Sequence, residues 1–233
     1  MRHHLLLFDI DGTLLRTSGQ GVEAMHVVAK RLFGPTFNFD AVTFSGNLDP
    51  VIFEQAATAC QLENWPDHHD RFRDAYLDEL RQRLAEVAGC AQAMPGVPEL
   101  LALLRQRNGA GGDVILGLLT GNYTQAVQIK LEAVDICHDW FTVTAFGDEA
   151  PTRPDMVALA LDRYQQAHQH KPDPRKVIVI GDTPRDVDCA KVHGCVAFAV
   201  ATGRYSVEQL RAAGADVAVP DLTDPGPLLA LIE

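Results

Sequence analysis

Six short apolar runs, spread along the chain, constrain what this sequence can fold into more than any other feature. They cover residues 5–8, 114–119, 141–146, 177–180, 196–200 and 217–219. Runs of this length without a polar interruption are typical of strands that are buried on both faces, as in a parallel sheet. Several of them end directly in polar residues, among them Asp9, Thr120 and Asp182. We therefore expect these side chains to gather at one edge of the sheet.

Helical spacing of apolar residues marks the segments between these runs, namely residues 97–107, 123–134, 154–168, 185–193 and 206–213. Gly194 and Gly214 follow two of these segments, and glycine at this position is a common helix terminator. The alternation of strands and helices predicts an α/β fold with a doubly wound parallel sheet.

One segment, residues 17–91, departs from the alternation. It contains three helical patterns, at residues 21–33, 50–60 and 67–87, and no convincing buried strand. We interpret it as a helical domain inserted after the first strand, which leaves residues 1–16 and 92–233 as the core. Because the insert begins beside the acidic segment at Asp9, a lid over an active site is favoured over a helical addition that only enlarges the core.

Composition limits the partners of this chain. Among 233 residues, 31 aspartates and glutamates outnumber 20 lysines and arginines, and the net charge is −11. Such a field repels nucleic acid and anionic lipid, so a phosphate-binding site would need its own positive charge. The five cysteines form no C-x-x-C pair, and the apolar run before Asp9 is too short for a signal peptide or a membrane span. We expect a cytoplasmic protein that binds neither nucleic acid nor membrane.

The first strand end carries two carboxylates, in Asp9-Ile10-Asp11-Gly12-Thr13. Side chains two residues apart leave a strand in the same direction, and paired carboxylates are costly unless a cation lies between them. Magnesium prefers oxygen ligands of this kind. One carboxylate can then attack phosphorus, while the other protonates the leaving oxygen and later activates water. The alternative is a polar turn that caps a strand.

The next two signals are suited to binding an anion. Thr120, Gly121 and Asn122 offer a hydroxyl and free amides before a helix, which form an anion cradle, although the same residues also make a plain loop. Arg153 lies between the third strand and its helix, where a fixed positive charge can hold a phosphoryl group. Considered alone, Arg153 is better explained as a solvated surface residue.

The fourth signal is acidic again. Asp182 ends its strand and is placed to complete a metal site, and Asp186 can bind the metal or orient a metal-bound water. Acidic residues also cap helix N-termini, which is the structural alternative for Asp186. Each signal has such an alternative, but four of them at four successive strand ends of one sheet favour a phosphate- and metal-binding site.

These residues resemble the motifs of the haloacid dehalogenase superfamily. Asp9-Ile10-Asp11-Gly12-Thr13-Leu14 is similar to its first motif, Thr120 to the second, and Asp182 with Asp186 to the fourth, while Arg153 occupies the third. The resemblance covers nearly the whole chain and implies a Rossmann-like core with a helical cap. Phosphoglycolate-phosphatase-like members are the nearest in layout.

The resemblance also implies roles for single residues. Asp9 would be the nucleophile, Asp11 the acid and base, and Thr120 a phosphate ligand, and Asp9, the Asp11 carbonyl and Asp182 would hold Mg²⁺. The cap loop of these relatives has the pattern Phe-x-Gly-x-Thr-Asp, and the chain has the similar Phe44-Ser45-Gly46-Asn47-Leu48-Asp49. Asp49 is therefore a candidate for substrate binding, although Leu48 in place of threonine leaves the substrate open.

The third motif departs from the family, which usually has lysine there. Lys171-Pro172 offers a lysine, but it lies only 11 residues before Asp182, on the approach to that strand, and is placed at the opposite edge of the sheet. Arg153 lies 29 residues before Asp182 with a full helix between, as the family layout requires. Arginine keeps the charge and adds bidentate geometry, so it is a related but not equivalent residue.

The sequence thus favours a Mg²⁺-dependent phosphohydrolase that cleaves a small phosphomonoester through an aspartyl phosphate. A sugar phosphomutase needs the same two aspartates and remains an alternative. A non-catalytic binding protein that kept the fold is a further alternative, motivated by Arg153, although a binding module has no need of three costly carboxylates. The sequence leaves the particular phosphomonoester and the oligomeric state open.

Overall fold

The computed structural model of the chain describes residues 3–109, 112 and 114–233. Its strands are β1 (His4–Phe8), β2 (Leu15–Arg16), β3 (Gln92–Ala93), β4 (Val114–Thr120), β5 (Val143–Phe146), β6 (Val177–Gly181), β7 (Val196–Val200) and β8 (Val217–Val219). Its α-helices are α1 (Gln20–Phe33), α2 (Asp49–Ala59), α3 (Trp65–Glu86), α4 (Val97–Gly109), α5 (Thr124–Glu132), α6 (Arg153–His168), α7 (Pro184–Val192), α8 (Val207–Ala212) and α9 (Gly226–Leu229).

Six strands form one parallel sheet in the order β5-β4-β1-β6-β7-β8. The chain starts in the middle of the sheet, adds β4 and β5 on one side, and then β6, β7 and β8 on the other. Strand β1 therefore lies where the direction of winding reverses, which is the usual position of a ligand site in such sheets. The predicted α/β fold with a doubly wound parallel sheet is confirmed.

The apolar runs are uninterrupted because both faces of the sheet are covered. Leu6 and Phe8 of β1 belong to one buried cluster with α4, and Leu5 and Leu7 belong to another with α6 and α7. All five residues of β1 are buried. This two-sided burial explains why the strands lack the alternation of polar and apolar residues that a half-exposed sheet would show.

The third run was predicted to begin at residue 141, whereas β5 begins at Val143. Residues His138–Trp140 form a 3₁₀ turn, and Phe141 follows it before the strand. The Phe141 ring packs edge-on against Phe8, with ring centroids 6.4 Å apart. Its apolar character thus reflects packing below the sheet rather than strand pairing, and this part of the prediction was wrong by two residues.

Helices α1, α2 and α3 lie between the short strands β2 and β3, which pair antiparallel where the chain leaves the sheet and returns to it. An aromatic core holds the three helices together, and the rings of Phe53 and Phe72 stack with centroids 4.3 Å apart. We call these three helices the cap; its boundaries at residues 17 and 91 stay a prediction. Among the described residues, no helix is long and apolar enough to cross a membrane.

Candidate active site

The carboxyl ends of β1, β4 and β6 open into a cavity of about 330 Å³ between the sheet and the cap. These three strands are neighbours in the sheet, so the residues that follow them come together although they are far apart in the chain. The lining includes most of the residues that the sequence singled out: Asp9, Asp11, Asp49, Thr120, Gly121, Asn122, Arg153 and Asp182.

Asp9 lies at the floor of the cavity and is 5% exposed. Its Oδ1 accepts a hydrogen bond from the Ile10 amide at 2.8 Å, and its Oδ2 lies 2.9 Å from Nη2 of Arg153. Burial raises the pKa of the Asp9 carboxyl from the ordinary 3.8 to about 6, although Arg153 and a hydrogen bond from Thr120 favour the ionised form. The carboxyl is thus held rigidly beside a permanent positive charge.

Arg153 is buried and joins two carboxylates. Its Nη2 contacts Asp9 and forms an ion pair with Asp186, and its Nη1 donates to the Gly46 carbonyl of the cap loop at 3.4 Å. A helix begins at Arg153, and the side chain of Thr152 caps it, so the backbone that carries the guanidinium is fixed. The surface interpretation of Arg153 is wrong; Lys171, by contrast, is exposed and lies before β6, away from the carboxyl end of that strand.

Asp9, Asp182 and Asp186 form a cluster in which one carboxylate oxygen of each lies within 4.8 Å of the others. Asp182 Oδ1 is buried without a hydrogen-bond partner. Burial, together with the charges of Asp186 and Asp9, raises the pKa of Asp182 from 3.8 to about 8. Such a cluster is short of positive charge, and a divalent cation with oxygen ligands would supply it. The donor set therefore fits Mg²⁺.

Two glycines keep space beside Asp182. A Cβ at Gly203 would lie 1.8 Å from Asp182 Oδ2, and one at Gly12 would lie 2.5 Å from it. Real Cβ atoms do not approach an oxygen so closely, so a side chain at either position would displace the carboxylate. The backbone at Gly12 and at Gly203 thus lies close to this side chain, and the absence of a Cβ at both positions leaves room for the carboxylate oxygens.

Asp186 has a structural task as well. Its Oδ2 accepts hydrogen bonds from the Thr183 amide at 3.0 Å and the Thr183 hydroxyl at 2.7 Å, which completes a capping box at the start of α7. Its Oδ1 forms the ion pair with Arg153. The structural alternative for Asp186 is therefore present alongside its place in the acidic cluster, and a role in metal binding stays a prediction.

Asp11 does not belong to the cluster of carboxylates found among the described residues. Its Oδ2 lies 2.5 Å from the amine of Lys130, which also donates to Asn122 Oδ1 at 2.7 Å. Lys130 is 4% exposed, which is rare for a lysine. Sequence reasoning missed this residue. The available signal was that Lys130 lies four positions after Ala126 and so shares the apolar face of α5.

The loop after β4 lines the cavity and also forms hydrogen bonds with the segment at the start of α2 in the cap. The Gly121 carbonyl accepts a hydrogen bond from the Asp49 amide at 2.7 Å, and a Cβ at Gly121 would lie 2.1 Å from the Asn47 carbonyl oxygen. Asp49 Oδ2 in turn accepts from the Tyr123 amide at 2.9 Å. The Tyr123 amide, which directly follows the predicted anion cradle, is therefore used by a cap carboxylate.

The fold and the site together are those of a family of hydrolases. Residues 6–191 match the family model of haloacid dehalogenase-like hydrolases, and the chain belongs to this family. The resemblance stated from the motifs is thereby confirmed.

Several curated relatives are phosphoglycolate phosphatases. The phosphoglycolate phosphatase of Escherichia coli strain K12 is 26% identical and the alignment covers 96% of this chain and 91% of that protein. The phosphoglycolate phosphatase of Mesorhizobium japonicum is 24% identical, with 87% and 85% covered.

Solved structures agree on the fold. CbbY from Rhodobacter sphaeroides, in complex with phosphate, has a TM-score of 0.73 at 22% identity, with 97% of each chain covered. A β-phosphoglucomutase from Clostridium difficile has a TM-score of 0.74 at 16% identity, with 100% of this chain and 97% of that chain covered. A protein that binds phosphate and a phosphoglucomutase thus share this architecture, and the fold alone does not fix the reaction.

Proposed function

We propose that this protein is a Mg²⁺-dependent phosphohydrolase that cleaves small phosphomonoesters through an aspartyl phosphate on Asp9. The observation that carries the proposal is the position of Asp9, whose buried carboxylate is held by Arg153 within a carboxylate cluster in the cavity between the sheet and the cap. A binding protein gains nothing from so costly a cluster, because each buried carboxylate must be compensated.

In the first step, Asp9 attacks the phosphorus atom, the bond from phosphorus to the ester oxygen breaks, and Asp11 donates a proton to the departing oxygen. Arg153, the Thr120 hydroxyl and the amides after β4 hold the phosphoryl oxygens. In the second step, Asp11 takes a proton from water as the water attacks phosphorus, and the bond to Asp9 breaks. Phosphate leaves, and both aspartates are restored.

Asp9, Asp182, the Asp11 carbonyl and Asp186 are the groups that would hold Mg²⁺. When bound, the ion neutralises charge on the transferring phosphoryl group. The orphaned Asp182 Oδ1 is the feature of this chain that supports such an ion.

The cavity and the relatives support a small substrate. A volume of about 330 Å³ is at the lower end of the usual range for ligand sites, and the cations Arg16 and Arg204 line it in addition to the buried ones. These cations offset the carboxylates of Asp9, Asp11, Asp49 and Asp182, which also line the cavity. Because the curated relatives are phosphoglycolate phosphatases, 2-phosphoglycolate belongs among the first compounds to test.

The test is phosphate release from a panel of small phosphomonoesters, with Mg²⁺ and with a chelator. We expect Mg²⁺-dependent release from the wild type and none from Asp9→Asn, which keeps the shape of the side chain. Asp139→Asn, at an exposed position of the sheet domain, is the matched control and should retain activity. Turnover retained in Asp9→Asn would contradict the proposal.

Product analysis separates the alternatives. If a hexose 1-phosphate is converted to its isomer without release of phosphate, the protein is a mutase. If no ester reacts and the wild type also fails to bind beryllium fluoride, the protein is a binding module that kept the fold.

A further inference from the structure

We propose that Lys130 is a positioning residue that holds the carboxylate of Asp11 in place for proton transfer to the departing oxygen and from the attacking water. The inference rests on the proposed phosphohydrolase function and adds to it a residue that lies outside all four sequence motifs. Lys130 acts through Asp11 and is not itself required to touch the substrate.

The first support is the geometry of the amine. Lys130 Nζ lies 2.5 Å from Asp11 Oδ2 and 2.7 Å from Asn122 Oδ1, so it links the loops after β1 and β4. These two loops form adjacent walls of the cavity. The amine therefore fixes the carboxylate of Asp11 relative to the loop that follows Thr120.

The second support is the difference in exposure between the two partners. The side chain of Lys130 is 4% exposed, whereas that of Asp11 is 42% exposed and lines the cavity. Within the described part of the chain, the structure shows no hydrogen bond to Asp11 Oδ1. One oxygen of Asp11 is thus anchored and the other remains available for a proton.

The third support is how the amine is enclosed. A Cβ at Gly21 would lie 3.8 Å from Lys130 Nζ and 3.7 Å from Tyr76 Oη, so helices α1 and α3 of the cap both reach this point. A buried lysine is costly unless its charge is paired and hydrogen-bonded. Here the buried charge is paired with Asp11, the proposed acid and base. An error of about 1 Å in the position of such a group can reduce the rate about 10²-fold.

The test uses esters that differ in leaving group. Departure of an alkoxide needs a proton, whereas departure of p-nitrophenolate does not. We therefore expect Lys130→Met to lower kcat/KM about 10- to 100-fold for an alkyl phosphate and to change it little for p-nitrophenyl phosphate. The ratio kcat/KM reports the steps up to phosphoryl transfer to Asp9 and excludes the later attack of water, in which Asp11 is the base for both esters. Lys130→Arg, which keeps the charge and the donors, should recover part of the loss.

A double variant tests whether Lys130 acts through Asp11. Asp11→Asn should show the same dependence on the leaving group, and adding Lys130→Met to it should produce little further loss. Beryllium fluoride binding, measured by calorimetry, should persist in Lys130→Met because Asp9 and Arg153 are untouched. Lys191→Met, which removes a half-exposed ion pair with Asp216 away from the cavity, is the matched control.

Three results would overturn the inference. They are an equal loss of kcat/KM for both esters, a loss that comes from KM alone, and a double variant in which the two losses of kcat/KM multiply. If Lys130→Met does not fold, Asn122→Ala removes the second contact of the amine and should give the same dependence on the leaving group in a weaker form. A wild type that releases phosphate from neither ester overturns the proposed function, and this inference with it.

Discussion

Asp49 makes a prediction about stability that can be worked out from its surroundings. The residue is 5% exposed, and burial raises the pKa of its carboxyl from 3.8 to about 7, although Lys130 and the Tyr123 amide favour the ionised form. Replacing Asp49 by asparagine keeps an oxygen that can accept from the Tyr123 amide and removes the charge. The substitution should therefore remove a dependence of the stability on pH.

The sign follows from the direction of the shift. An acid whose pKa is raised by folding binds its proton more tightly in the folded state. Its contribution to stability is complete below pH 3.8 and is lost as the pH rises to about 7. A shift of about three units corresponds to about 4 kcal/mol in total, of which about 2.5 kcal/mol falls between pH 5 and pH 8.

The assay is urea unfolding of the wild type and Asp49→Asn at pH 5, 6.5 and 8, with a chelator present so that metal binding does not contribute. From pH 5 to pH 8, the free energy of unfolding of the variant should rise by about 2.5 kcal/mol relative to that of the wild type, with equal m-values. Asp40→Asn, at an exposed position of the cap, is the control and should follow the wild type. Parallel curves for the wild type and Asp49→Asn would refute the reasoning.

Three further predictions concern other contacts. Arg153→Met leaves two buried carboxylates without their partner and should lower the free energy of unfolding, measured in urea at neutral pH, by about 3–5 kcal/mol. Arg153→Lys keeps the charge and should lose less stability. Equal losses in the two variants would contradict the role of the charge. Gly203→Ala places a Cβ against Asp182 and should weaken Mg²⁺ binding about 10- to 100-fold by calorimetry; unchanged affinity would remove Asp182 from the metal site. Tyr123→Phe removes the hydroxyl that lies 3.0 Å from Nε2 of the cap residue His69, and should cost about 1 kcal/mol in thermal unfolding with activity retained.

The sheet was predictable because burial on both faces leaves a plain mark in the sequence. Leu5, Leu6, Leu7 and Phe8 form such a run, and no turn or cap is needed to identify the strand. The edge on which the site lies was predictable for a related reason. In a parallel sheet all strands end at the same side, so residues after the runs meet there whatever their separation in the chain.

The partners of single side chains were not predictable in this way. The hydrogen bond from Lys130 to Asp11 joins residues 119 positions apart, and the one from Tyr123 to Asp49 joins residues 74 positions apart. Helical spacing indicates that Lys130 faces the interior, but it does not indicate which loop the amine meets. Such pairs depend on how α5, the cap and the loops after the strands pack against one another, which no local pattern records.

The cap shares its hydrophobic core with the sheet domain. Ala126 and Ile129 of α5, and Tyr123 directly before it, are buried in the same cluster as Phe53 and Phe72. An exchange of caps between relatives would therefore transplant only part of a core and leave an apolar helix face against a foreign surface. The cap and α5 must therefore be transferred together. They are nevertheless separate in the chain, because α3 ends at Glu86 and α5 begins at Thr124.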